Sequence, residues 1–278
     1  MFVRGVNLSF VYFKDCTFNY KMNVKSNYNL LKYLTQQKKS QQHKYPNEQC
    51  GDGNIIRKKQ NKGQPMTKLD QMQRIEKSGI VAIIRANSSK ELIDAVVAIQ
   101  KGGVDVIEIT MTTPDALQVI GDVSKRLGSS VLIGVGSVLD AETARAAMLA
   151  GAEFVVCPVT KPDVIEICNR YGKVVIPGAF TPTEILHAWE TGADYVKVFP
   201  ASGGGSSYIK DIKAPLPQIP LIPTGGINAE NAAEFLTAGA AALGVGSALV
   251  SNDLIESGDF DILTTRAKSL VDAVKSVG

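Results

Sequence analysis

Lys197 interrupts an otherwise apolar run, Tyr195-Val196-Lys197-Val198-Phe199-Pro200. In an extended strand, successive side chains point to opposite faces, so Val196 and Val198 share one face and Lys197 takes the other. If the valines lie under covering helices, the amine points into the interior. A low-dielectric interior disfavours the ammonium and favours the free amine, which can add to a carbonyl carbon and form a Schiff base. A mid-strand lysine can also snorkel to the rim or pair with a carboxylate, and spacing alone leaves these readings open. Glu108 breaks a second apolar run, Val106-Ile107-Glu108-Ile109-Thr110, and alternates in the same way away from Ile107 and Ile109. A buried carboxylate is costly without a partner, and an inward lysine could be that partner. The carboxyl could equally move protons as a general acid and base, which the steps of Schiff-base formation require. Both roles fit one site.

Other polar residues end apolar runs. Arg85 closes IVAIIR, and its planar fork suits a carboxylate bidentately, with an ordinary surface ion pair as the alternative. Ser137 follows VLIGVG, and Thr224 precedes two glycines. In PTGGIN (residues 223–228), Gly225 and Gly226 let backbone N–H groups approach an anion closely, while in GVGSALV (residues 244–250) Ser247 offers a hydroxyl. Tight turns would use the same glycines. The loop SGGGSS (residues 202–207) reads as a second donor nest or as a flexible connection. Cys157 packs as a small apolar residue, with no histidine to activate it. His187 is expected exposed on a helix and Trp189 packed, and neither is assigned a role.

Several chemistries are disfavoured. His43 and His187 are the only histidines in 278 residues, which argues against zinc hydrolysis, an imidazole-bound metal aldolase and most serine–histidine catalysis. Cys16, Cys50, Cys157 and Cys168 show no paired metal spacing and are too few for a disulfide scaffold. No window approaches the length of uninterrupted apolar sequence that a membrane span needs. The net charge of +3 conceals two unlike pieces: residues 1–66 hold 12 Lys or Arg against 3 Asp or Glu, and residues 67–278 hold 18 against 24. The globular piece is mildly acidic, with no basic stripe or aromatic platform for nucleic acid.

The elements that must position these side chains begin near Lys68. Upstream, the Asn-, Lys-, Gln- and Tyr-rich stretch lacks periodicity and reads as disordered. A transit peptide, a secretory signal (a poor fit) and a gene-model artefact with translation starting at Met66 compete to explain it. Downstream, eight short β-rich runs alternate with helical segments: IVAIIR, VIEIT, VLIGVG, FVVCP, VVIPG, YVKVFP, LIPTGG and ALGVG. Ser88 or Ser89 is expected to cap the helix after the first run. Unalternating Val/Ile/Leu runs suit parallel strands covered by helices. The expected fold is therefore α/β: a (β/α)8 TIM barrel over residues 66–278, preceded by a disordered extension, residues 1–65. An open doubly wound sheet is the alternative, but IRANSS supplies no glycine-rich dinucleotide turn. In a barrel, Arg85, Glu108, Ser137, Cys157, Lys197, Thr224 and Ser247 fall at the C-terminal ends of strands, where such folds place their sites.

Arg85 in IRANS, Glu108 in IEITMTTPDA, Ser137 in IGVGSVLD, Pro177 in IPGAFTPTE, Lys197 in VKVFPAS and the PTGGI and GVGSALV pair together resemble the class I KDPG/KHG aldolases. In full, these are the 2-dehydro-3-deoxy-6-phosphogluconate/4-hydroxy-2-oxoglutarate aldolases. The resemblance runs from about Met66 to the C-terminus. It implies a barrel, usually trimeric, that needs no metal or organic cofactor and cleaves a keto-acid substrate to pyruvate and an aldehyde. It makes Lys197 the Schiff-base lysine and Glu108 the proton shuttle. It sets Arg85 and Ser137, the latter in place of the commoner threonine, near the substrate carboxylate, and Gly225, Gly226 and Ser247 at the phosphate. Many members carry an arginine four residues after the glutamate; here Thr112 stands instead, so anion binding rests more on Arg85. The implied location is cytoplasmic, or an organelle matrix or stroma if the extension is a transit peptide. Two rivals are a phosphate-binding barrel isomerase or synthase, which needs no inward lysine, and a non-catalytic phosphate-ligand sensor.

Overall fold

The computed structural model describes residues 66–89 and 91–277. The expected extension, residues 1–65, lies outside the described residues, as do His43, Cys16 and Cys50. Helix α1 (Lys68–Ser78) opens the described chain. Thr67 and Asp70 cap it reciprocally: Asp70 N donates to Thr67 Oγ1 at 3.2 Å and Thr67 N donates to Asp70 Oδ2 at 3.0 Å, which satisfies amides that a helix start otherwise leaves bare. Gly79, at φ 66°, ends the helix in left-handed backbone that glycine adopts without strain.

There follow in order β1 (Ile80–Ile84), α2 (Leu92–Lys101), β2 (Val106–Thr110), α3 (Ala116–Leu127), β3 (Leu132–Gly136), α4 (Ala141–Ala150), β4 (Phe154–Val156), α5 (Pro162–Arg170) and β5 (Val174–Ile176). Then come β6 (Gly178–Ala179), α6 (Pro182–Thr191), β7 (Val196–Val198), α7 (Gly205–Lys213), β8 (Leu221–Pro223), α8 (Ala232–Thr237), β9 (Leu243–Val245), α9 (Asn252–Ser257) and α10 (Phe260–Lys275). Among the described residues, nine strand segments replace the eight expected runs because VVIPG divides at Pro177, whose nitrogen has no hydrogen for a ladder. The expected serine cap of α2 does not form. Glu91, at φ 61°, precedes that helix, and Ser89 Oγ is instead engaged with Asp115 Oδ2 at 3.2 Å.

Among the described residues, all strand pairings are parallel, in one ladder β5-β4-β3-β2-β1-β9 and another β6-β7-β8. A Thr224–Gly244 bridge joins the end of β8 to β9. On the other side, Asp194 N donates to Val175 O at 3.1 Å and Lys197 N to Pro177 O at 2.9 Å. The sheet is curled and helices cover its outer face, a TIM-like α/β arrangement.

Strand alternation sorts the buried side chains into two sets. Ile107, Ile109, Val196 and Val198 pack outward against helices, among Val96, Ile99 and Ile185. Val81, Val106, Leu132, Phe154, Ile176, Tyr195 and Ile222 fill the concave face, joined by Ile75 of α1. Phe154 fits there because its register partner Gly134 has no Cβ; a methyl at Gly134 would overlap the ring. Helix α1 is tied to the interior by hydrogen bonds as well as by Ile75. The Tyr195 hydroxyl donates to Glu76 Oε1 at 2.9 Å, and Gln71, fully buried, accepts from Val174 N at 3.0 Å. These contacts cover the end from which the strands start, so polar side chains can reach solvent at the opposite end. Among the described residues, no helix is long and apolar enough to cross a membrane.

Candidate active site

Lys197 lies between two fully buried valines on β7 and is itself only 9% exposed. In register it faces Gly178 on one side and Ile222 on the other, so nothing large crowds its stem from β6. Its Nζ stands 5.2 Å from the centroid of the Phe199 ring, within cation–π range. The expectation from alternation therefore holds: the valines face the helices and the amine faces the concave interior.

Glu108 comes from β2 and is 2% exposed. Two neighbours make room for it. Ile83 and Gly134 flank it in register, and the carboxylate lies over Gly136, where an added Cβ would overlap Oε1. Burial raises the proton affinity of the carboxyl above the ordinary carboxylate range, while the charges of Lys197 and Arg85 pull in the opposite direction. Glu108 thus holds its proton to higher pH than an exposed glutamate, and its ionised form is supported by the amine and the guanidinium.

Lys197 and Glu108 line one small cavity of about 10 Å³, room for roughly a single water. Thr224, 6% exposed, contributes the third polar side chain, and Val81, Ile83 and Ile222 form apolar walls. Thr224 reaches this position because Gly244 across the bridge lacks a Cβ; one there would overlap Oγ1. The alternation of Thr224 with Ile222 already carried that signal, but the spaces left by Gly136 and Gly244 are visible only across strands.

The remaining candidates ring the open end. Arg85 is one residue past β1 and exposed, and Glu108 feels its charge. Ser137 follows β3 in left-handed backbone, φ 59°, a conformation in which a β-branched residue would be strained. Gly225 and Gly226, at φ 102° and 75°, form the turn after β8, which packs against the turn at residues 200–202. Asn231 latches that loop: its N–H donates to Asn228 Oδ1 at 3.0 Å, its Oδ1 accepts from Asn228 N at 2.9 Å, and its Nδ2 donates to Gly226 O at 2.9 Å. Ser247 lies with Asn228 on a second cavity, of about 350 Å³. Ser137 lines neither cavity. Residues 202–207 are largely ordered into a 3-10 turn, Ala201–Gly203, and the start of α7. Cys157 is buried, and desolvation pushes its thiol up to about 12, so it stays protonated. His187 is exposed on α6, and Trp189 packs against the core.

A primary amine, a proton-retaining carboxyl and a hydroxyl in one apolar pocket can add to a ketone and move the protons that the addition requires. The comparisons agree with that chemistry. The sequence model of the KDPG and KHG aldolase family matches residues 72–266. The 2-dehydro-3-deoxy-6-phosphogalactonate aldolase of Escherichia coli (strain K12) is 37% identical over 179 residues, covering 64% of this chain and 87% of that protein. The 2-dehydro-3-deoxy-phosphogluconate aldolase of Pseudoalteromonas atlantica is 33% identical over 193 residues, 69% of this chain and 89% of that one. The structure of a KDPG aldolase from Legionella pneumophila, with pyruvate captured at low pH as a covalent carbinolamine intermediate, aligns at TM-score 0.67 and 26% identity over 72% of this chain and 97% of that chain. The chain belongs to the KDPG and KHG aldolase family.

Proposed function

We propose that this class I aldolase uses Lys197 as its Schiff-base amine and Glu108 as its proton shuttle. It cleaves 2-keto-3-deoxy-6-phosphogluconate or 4-hydroxy-2-oxoglutarate to pyruvate plus glyceraldehyde 3-phosphate or glyoxylate. The observation that carries the reading is the single cavity shared by the buried amine and the buried carboxyl.

The unprotonated Lys197 Nζ adds to the C2 ketone of the substrate. Glu108, directly or through a water, donates a proton to the departing hydroxyl, and the carbinolamine loses water to become an iminium. Loss of the C4 hydroxyl proton breaks the C3–C4 bond, and its electron pair flows into the iminium, leaving a pyruvate enamine and a free aldehyde. Protonation of the enamine at C3 and hydrolysis of the iminium then release pyruvate and regenerate the amine. The raised proton affinity of Glu108 suits a group that must both give and take protons during turnover. The iminium is the electron sink, so the reading asks for no metal or organic cofactor. Arg85 and Ser137 hold the substrate carboxylate; Gly225, Gly226 and Ser247 hold the phosphate.

In this reading the two ladders, the Thr224–Gly244 bridge and the bonds across Pro177 make one eight-stave barrel over residues 66–278, with residues 1–65 catalytically idle and the enzyme in the cytoplasm. Leu139 and Val159, on successive strand-to-helix loops and 54% and 51% exposed, offer apolar surface for the homotrimer that the resemblance implies. The test is borohydride reduction in the presence of pyruvate, followed by peptide mass spectrometry. A pyruvyl adduct on the peptide holding Lys197 is expected; an unmodified peptide refutes the assignment.

A further inference from the structure

We infer that Arg266 of α10 is a specificity-determining residue, the charged member of a site for the distal phosphate of the substrate. The inference rests on the aldolase reading above and deepens it. The cavity of about 350 Å³ lies between the loops after β8 and β9 and one side of α10, and its polar lining is Asn228, Glu230, Ser247, Thr265, Arg266 and Ser269. A phosphate that accepts a hydrogen bond from Ser247 therefore stands at the wall of a space that Arg266 also lines.

Arg266 is half-buried, and among the described residues no carboxylate lies within 4 Å of its guanidinium. A partly desolvated guanidinium without an anion, flanked by neutral hydroxyls, is suited to bind one, and its fork matches phosphate geometry. Glu230 is the opposing charge on the same cavity, but it is exposed and can turn to solvent. The frame is rigid on both sides. Asn228 is held by its reciprocal bonds with Asn231, and α10 is held by buried Leu263, Ala267 and Leu270 and by the Thr264 hydroxyl, which donates to Ala98 O at 2.9 Å. None of these contacts uses the guanidinium, so removing it leaves the helix in place.

The site separates the family's two substrate types. A phosphorylated keto acid reaches Arg266, whereas 4-hydroxy-2-oxoglutarate has no phosphate to place there. The experiment compares wild type, Arg266→Gln and Arg266→Lys in coupled pyruvate-release assays with 2-keto-3-deoxy-6-phosphogluconate and with 4-hydroxy-2-oxoglutarate. Inorganic phosphate serves as a competitive inhibitor, and melting temperatures are recorded. Arg266→Gln should lose roughly 10- to 100-fold in kcat/KM for the phosphorylated substrate, mainly through KM, as expected for one lost charge-assisted contact. Its inhibition constant for phosphate should rise by a similar factor, and Arg266→Lys should recover part of the loss. Activity on 4-hydroxy-2-oxoglutarate and melting temperature should not move. An equal loss on both substrates, or an unchanged KM for the phosphorylated one, overturns the inference. Pyruvate carries no phosphate, so borohydride trapping of Arg266→Gln distinguishes the two levels: normal trapping with unchanged KM refutes Arg266 alone, whereas absent trapping in wild type refutes the aldolase assignment to Lys197 and this inference with it.

Discussion

Gly136→Ala tests whether the placement of the Glu108 carboxyl matters. The backbone at Gly136 lies outside the left-handed region, so alanine adopts it without strain; the added methyl simply occupies the position of Glu108 Oε1. To reach ordinary contact the carboxyl must retreat by about 1–2 Å, toward Ile83 or the cavity it shares with Lys197. A displacement of about 1 Å at a reacting group costs on the order of 100-fold, and the whole general acid–base contribution is about 100- to 10,000-fold. Turnover in pyruvate-release assays should therefore fall by about 100-fold or more. Overpacking of this kind costs roughly 1–3 kcal/mol, a fall in Tm of roughly 2–12 °C for a domain of this size, and a melting curve of the purified variant checks that it is folded at assay temperature. Gly121→Ala is the contrasting change. Gly121 lies inside α3, where a Cβ makes only ordinary contact, 3.5 Å from Ala150 O, and alanine should stabilise the helix by about 0.5–1 kcal/mol with activity intact. A folded Gly136→Ala enzyme with wild-type turnover would falsify the proposal that proton transfer depends on Glu108 at that position.

Lys197→Met should abolish cleavage by several powers of ten, because the covalent step has no other amine in the cavity; near-normal pyruvate release from purified variant protein rules the mechanism out. Glu108→Gln should lower kcat far more than it raises KM, and turnover like that of wild type speaks against a proton role. The same variant has a signature in stability. The folded pKa of Glu108 is raised, so its contribution to stability is fully present below the ordinary carboxylate range and is lost as pH rises through the raised value. Relative to wild type, Glu108→Gln should therefore gain thermal stability as pH rises from the ordinary carboxylate range toward the raised value; a Tm difference that is flat with pH contradicts the burial argument.

Much of the site is legible along the chain, because alternation is a local property. Val196 and Val198 must share a face, as must Ile107 and Ile109, and the covering helices claim those faces, so Lys197 and Glu108 are left pointing inward. The order of runs and helices likewise calls for a parallel, helix-covered sheet. Other features depend on contacts that no local pattern carries. Composition calls for a serine cap on α2, yet Ser89 is taken by Asp115, 26 positions away in the chain. Pro177 was visible as a residue, but whether it ends a strand or divides one depends on its neighbours. Its carbonyl still accepts from Lys197 N, so the chain crosses from one ladder to the other without leaving the sheet.

The sequence by itself determined which side chains face inward, since the two-residue period of a strand and the apolarity of its flanking residues settle that within five positions. Only the tertiary structure decided which inward side chains meet. Register between β2 and β3 lays Glu108 over Gly136, and the bridge between β8 and β9 sets Thr224 against Gly244. The packing of α10 brings Arg266 to the cavity lined by Ser247. These meetings join residues from 19 to 28 positions apart, and a local pattern carries no term for the relative stagger of two strands or the docking of a helix.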